Sequence, residues 1–177
     1  SGVWINNLHG FCGVYDVPAW IGVPFSMLLL VYIMNAVNLI DGIDGLASGL
    51  SMVALIVYGF YFIEVGEMAQ SLVAFASLGC LLAFFRYNVS GFHHRTLKIF
   101  MGDTGSLFIG FLLAICMLVM MDYNGENTKT IYSLEIKSNL LVVIMLFFLP
   151  LADTLRVFIY RVQRGKSPFS ADKTHIH

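Results

Sequence analysis

Five apolar runs dominate the chain: Val17–Ile40, Leu46–Ile63, Ala69–Tyr87, Ser106–Met121 and Asn139–Val162. A helix crossing a bilayer needs about 20 mostly apolar residues at a rise of about 1.5 Å each. All five runs meet or nearly meet that length. The fourth is short and is expected to borrow residues from its flanks. The fifth contains Pro150, which is expected to kink it or end its regular part. The pattern predicts an all-α fold: a polytopic transmembrane helix bundle with five spans, forming a single integral-membrane domain over residues 1–177.

Composition agrees. Of 177 residues, 58% are apolar and 12% charged, against roughly 25% charged in an ordinary soluble domain. A water-soluble globular domain and a disordered tail are thereby excluded. With 10 Lys+Arg against 11 Asp+Glu, no bulk charge draws the chain to nucleic acid. Membrane lipid is the expected surrounding. Cys12, Cys80 and Cys116 have no metal-type spacing and read as small apolar residues. The chain starts at Ser1-Gly2 and stops at His177 in mid-motif, so it is expected to be a fragment at both ends. Nothing in it fixes an oligomeric state.

Placement of the basic residues sets an orientation. Arg86, Arg95 and Lys98 lie in one stretch, and Arg156, Arg161, Arg164, Lys166 and Lys173 in the C-terminal one. The turn Glu64–Met68 has no basic residue, and the loop Asp122–Ser138 offsets Lys129 and Lys137 with three acids. The expectation is an N-terminus outside, a C-terminus in the cytoplasm, and Ile40–Gly45 and Arg86–Gly105 also inside. Three segments with unusual polar residues then share the cytoplasmic face.

The first segment holds Asn35, Asn38, Asp41 and Asp44, each three residues after the last, with Gly42 and Gly45 beside the acids. Such spacing places neighbours on one helical face. It reads either as a capped helix end with a tight turn or as a site for a cation or phosphate. The second, Phe100-Met-Gly-Asp103-Thr-Gly-Ser106, opens the fourth run. Asp103 reads as a plain N-cap or as a ligand of a magnesium ion that bridges to phosphate. The third runs from Asp153 and Arg156 through Arg164 to His175 and His177. Its cations read as membrane anchors or as phosphate contacts, and its histidines as a weak metal pair or as phosphate contacts.

The strings NAVNLIDGIDGLASG (Asn35–Gly49), FMGDTGS (Phe100–Ser106) and RGKSPFSADKTHIH (Arg164–His177) together resemble the polyprenyl-phosphate N-acetylhexosamine-1-phosphate transferase family. The opening NLHGFCGVYDVP (Asn7–Pro18) fits as well. The tail resembles the WecA/TagO-like branch, which uses UDP-N-acetylglucosamine or a similar UDP-N-acetylhexosamine. The MraY-type branch, a phospho-MurNAc-pentapeptide transferase, is the alternative within the family. A membrane transporter with intramembrane carboxylates is the alternative of another class.

The resemblance implies a reaction in the bacterial inner membrane. Undecaprenyl phosphate attacks the β-phosphorus of a UDP-sugar and gives undecaprenyl-diphospho-sugar and UMP, with Mg²⁺ or Mn²⁺ as cofactor. It implies Asp103 and Asp41 as metal ligands, and Asp41, Asp44, Asp103, His175 and His177 as catalytic residues. It implies Asn35, Asn38, Asn88, Phe100, Arg156 and Arg164 as substrate contacts, with Phe100 stacking on uracil and Asn88 touching uridine. The chain departs from the family in lacking an Asp-Asp pair and in having five spans rather than about ten or eleven. It therefore resembles the C-terminal half of such an enzyme. The purified 177-residue chain is expected to be inactive alone, which an assay for UDP-GlcNAc-dependent UMP release checks.

Overall fold

The computed structural model describes residues 3–11, 14–89 and 99–122. A short hairpin comes first, β1 (Asn7–Phe11) with β2 (Val14–Asp16). Four helices follow: α1 (Ala19–Ile40), α2 (Leu46–Glu64), α3 (Met68–Val89) and α4 (Gly102–Asp122). Each has 19 to 22 residues, hence a length of about 28–33 Å, the thickness of a bilayer's hydrocarbon layer. All four are long and apolar enough to cross a membrane. They match the first four apolar runs to within a few residues. The fourth helix does take in flanking residues, starting at Gly102 rather than Ser106. The fifth run and Pro150 lie outside the described residues.

The hairpin is an addition to the all-helical expectation. Its ten residues are too few and too mixed in polarity for a span. Asn7 pairs with Asp16 and Phe11 with Val14, antiparallel, and the Val17 N–H extends the ladder to the Asn6 carbonyl at 2.8 Å. The strand-side segment is pinned to α1. The Ile5 N–H donates to Ser26 Oγ at 2.8 Å, and that hydroxyl donates to the Gly22 carbonyl at 2.7 Å. Gly22 leaves the room that the Trp4 ring occupies.

The helices pack as two antiparallel pairs, α1 with α4 and α2 with α3, joined through α2 and α4. Hydrocarbon offers no hydrophobic drive for helices to associate, so close backbone approach through small residues counts for more. Two glycines supply it. A Cβ on Gly110 of α4 would lie 2.8 Å from Met34 Cα and 3.3 Å from Val37 Cβ on α1. A Cβ on Gly59 of α2 would lie 2.6 Å from the Phe75 ring on α3. Between the pairs lies an apolar core that includes Ile33, Val37, Leu55, Tyr58, Phe62, Leu113 and Met117. Outward positions on α1 and α3 stay apolar, with Trp20, Met27, Leu28, Leu72 and Leu82 exposed.

The alternation of helix direction places four termini at one end. The last turns of α1 and α3 meet the first turns of α2 and α4 there. The turn between α1 and α2 needs Gly45 in the left-handed region, at φ 75°, a conformation glycine adopts without steric cost.

The packing at Gly110 has a testable consequence. Gly110→Ala is expected to lower the thermal midpoint in detergent, since overpacking costs about 1–3 kcal/mol. Gly79→Ala, where nothing lies within 4 Å of the added carbon, is expected to leave the midpoint unchanged or raise it.

Candidate active site at one end of the bundle

The contact between α1 and α4 is spaced by helical turns. At Met34 of α1 it meets Gly110 of α4. Four residues on, Asn38 meets Ser106, four residues back. Its Nδ2 donates to Ser106 Oγ at 2.7 Å and to Asp103 Oδ1 at 3.2 Å. One turn beyond, the Gly102 backbone N–H donates to the Asp41 carboxylate. Ser106 is fully buried, and its hydroxyl donates to the carbonyls of Gly102 (3.0 Å) and Asp103 (3.2 Å). The register that packs the apolar halves thus delivers Asn38, Asp41 and Asp103 to one place.

Asp41 caps the C-terminus of α1 and is half-buried. Its carboxyl is pushed above the ordinary carboxylate range, first by burial, then by the charges of Asp103 and Asp44; the Gly102 N–H opposes the shift. Asp44 lies exposed in the turn. The described residues contain three acids at this end and a single Lys or Arg, Arg86 in the last turn of α3. Like charges held this close favour an added cation.

Magnesium fits the donor set. It is typically held by one or two carboxylates plus substrate phosphates rather than by a complete protein cage. Asp41 and Asp103 supply hard oxygen donors from two helix ends. Among the described residues no group of three or more His, Cys, Asp or Glu could hold a metal on its own.

Asn88 sits at the other side of the acidic turn. It is 5% exposed. Its Oδ1 accepts from the Gly45 N–H at 2.7 Å, and its Nδ2 donates to the Ile99 carbonyl at 3.0 Å. Phe100 follows Ile99 and is 71% exposed. Asn35 does not join the cluster. It is exposed, and its Nδ2 donates to the Val31 carbonyl of its own helix at 2.7 Å. Steps of three residues drift by about 60° each around a helix, so Asn35 faces away from the side that Asp41 occupies. Asp44 lies past the end of α1 and shares no helical face with Asn38. Arg156, Arg164, His175 and His177 lie outside the described residues.

Two participants were not among the expected site residues, Ser106 and the Gly102 N–H. Their signal is the spacing Gly102, Ser106, Gly110, Ala114 on α4, a small residue at every fourth position and so a close-packed face.

A family model described as glycosyl transferase family 4 matches residues 2–121. The probable undecaprenyl-phosphate N-acetylglucosaminyl 1-phosphate transferase of Bacillus subtilis is 37% identical, over 89% of this chain and 40% of its own length. The undecaprenyl-phosphate alpha-N-acetylglucosaminyl 1-phosphate transferase of Yersinia pestis is 30% identical, over all of this chain and 46% of its own. The decaprenyl-phosphate N-acetylglucosaminephosphotransferase of Mycobacterium leprae is 31% identical, over 86% and 39%. The chain spans less than half the length of these relatives. No solved structure matches it.

The raised Asp41 carboxyl gives a pH signature. A folded state that holds a proton more tightly than the unfolded chain loses stability as pH rises through the raised value, and the loss is complete above it. With divalent cations chelated, the thermal midpoint should therefore carry a component that falls from the ordinary carboxylate range upward. Asp41→Asn is expected to remove that component and raise the midpoint at neutral pH. Adding Mg²⁺ should raise the midpoint of the unaltered protein more than that of the variant.

Proposed function

The chain belongs to the glycosyl transferase family 4, and on that premise we propose that it carries part of the active site of a polyprenyl-phosphate N-acetylhexosamine-1-phosphate transferase. The donor is UDP-N-acetylglucosamine or a similar UDP-N-acetylhexosamine, and the acceptor is undecaprenyl phosphate. A phosphate oxygen of the acceptor attacks the β-phosphorus of the UDP-sugar. The bond from that phosphorus to the bridging oxygen breaks, and UMP leaves with the electron pair. The observation that carries this reading is the placement of Asp41, Asp44 and Asp103 at one end of an apolar bundle, with Asp103 held by the Asn38 amide. The names of the relatives, which specify N-acetylglucosaminyl phosphate transfer, support the sugar class and disfavour the pentapeptide alternative.

The roles follow from placement. Asp103 and Asp41 would hold Mg²⁺ or Mn²⁺. When bound, the ion neutralises diphosphate oxygens as charge shifts toward the leaving group. Asn38 keeps Asp103 aimed while leaving its charge intact, because an amide N–H is a neutral donor. Asp44 lines the same end. Phe100 offers a face on which uracil can stack. Arg156, Arg164, His175 and His177 would add phosphate contacts from the C-terminal segment. This end of the bundle faces the cytoplasm, a reading supported by the presence of Arg86, Arg95 and Lys98 in the stretch of sequence from the end of α3 to the start of α4. A fifth span, Asn139–Val162, completes the C-terminal half of the enzyme. The transporter reading fits less well, since it calls for carboxylates near the middle of the membrane, and these stand at helix ends.

Asp103→Asn in the full-length enzyme, assayed for Mg²⁺-dependent UMP release, tests the proposal. Loss of a preorganised electrostatic group typically costs about 10²–10³ in kcat, and a drop of that order is expected. Undiminished turnover would refute the metal role, and solute uptake without UMP release would favour a transporter.

A further inference from the structure

We propose that Ser106 is a positioning residue for this transfer, its hydroxyl fixing which way round the Asn38 carboxamide lies against Asp103. The inference rests on the transferase reading for its kinetic consequences only; the orientation itself is a matter of hydrogen-bond geometry.

Ser106 stands near the start of α4 and is fully buried. Its hydroxyl has one hydrogen to give. That hydrogen goes back along the helix, to the Gly102 carbonyl at 3.0 Å and the Asp103 carbonyl at 3.2 Å. Toward α1 the oxygen is therefore left as an acceptor. Asn38 Nδ2 meets it there at 2.7 Å and also donates to Asp103 Oδ1 at 3.2 Å. Turned over, the amide would set its carbonyl oxygen against a lone pair of Ser106 and against the Asp103 carboxylate. Both contacts would be repulsive, so the pair admits one orientation. Without the hydroxyl, only the longer of the two contacts would select it.

The packing keeps the serine in place. Gly110, one turn further along α4, lies against Met34 of α1, so Ser106 cannot draw back from Asn38 without opening that contact. The same hydroxyl ties down the Gly102 carbonyl, beside the Gly102 N–H that serves Asp41. One buried neutral group thus adjoins the supports of both acids proposed to hold the cation. Its influence on that cation passes through Asn38 and Asp103. Supporting groups of this kind typically alter metal affinity or activity by about 10–100-fold when removed.

The test uses the full-length protein and a double-mutant cycle. Ser106→Ala removes the hydroxyl and little volume. It is expected to lower kcat for UMP release by about 10–100-fold and to raise the Mg²⁺ concentration for half-maximal rate. KM for UDP-N-acetylglucosamine should hardly change. In an Asn38→Ala background the same substitution should cost little more, because residues in one hydrogen-bond network are not additive. Amide hydrogen exchange in detergent gives a readout that needs no turnover. Over residues 102–105 each single variant should exchange faster than the unaltered protein, and the double variant no faster than the faster single one. Unaltered kcat and Mg²⁺ dependence in folded Ser106→Ala would overturn the proposal. So would an equal loss with and without Asn38, because the serine would then act independently of the amide. Ser106→Cys, close in size and a weaker acceptor, should fall between serine and alanine, and it decides in the same cycle if Ser106→Ala does not fold. If the unaltered enzyme releases no UMP from any UDP-sugar, the transferase reading fails while the exchange cycle still judges the coupling of Ser106 to Asn38.

Discussion

The approach of α4 to α1 at Gly110 is the contact on which the rest of this end of the molecule depends. In water, two helices are driven together by the apolar surface they hide. In hydrocarbon that drive is absent, and close packing of small residues takes its place. Gly110 lets α4 lie against the backbone of α1 at Met34. The two helices run in opposite directions, so one turn along α1 corresponds to one turn back along α4. Asn38 then faces Ser106, and Asp41 faces the Gly102 N–H. A packing contact deep in the apolar part fixes which polar groups meet at its edge.

What meets there is a set of negative charges held by neutral donors. Asp103 is held by the Asn38 amide and Asp41 by a backbone N–H. A lysine or arginine in those places would hold the acids more strongly, but would cancel the field that attracts a divalent ion. Neutral hydrogen bonds orient the carboxylates and leave their charge available. Burial and the charges of Asp103 and Asp44 both raise the Asp41 carboxyl, and a cation bound there would oppose that shift. Under the proposed transfer these groups would act by electrostatic preorganisation, since little covalent chemistry falls to the protein in phosphoryl transfer.

The lengths and order of the described helices were legible in the sequence, because a bilayer sets a minimum run of apolar residues. The direction of Asn38 was legible too, as an amide three residues before an acid. Four things were not. The hairpin at residues 7–16 depends on pairing between short strands, which leaves no long-range periodicity. Asn35 shares the three-residue spacing of its neighbours, but that spacing winds around a helix and carries Asn35 to the outside. Ser106 stood out only as the last residue of the string that opens the fourth run. Its role comes from a partner 68 residues away, a relation that no local pattern encodes. Asn88 is similar: the residue type was noticed, and its burial between two loops was not.

The turn-by-turn match of α1 with α4 also sets where this chain can tolerate a change of length. One residue inserted between Met34 and Asp41 would rotate everything after it by about 100° and turn Asp41 away from α4. The same insertion between Gly102 and Gly110 would turn Asp103 away from Asn38. Neither helix can be lengthened there unless the other shifts in step. Beyond Gly110, toward the opposite end of the bundle, no polar pairing described between α1 and α4 depends on phase. The two helices behave as a ruler that is graduated at one end only, so sequence drift in length belongs at the hairpin end, where the turn between α2 and α3 also lies.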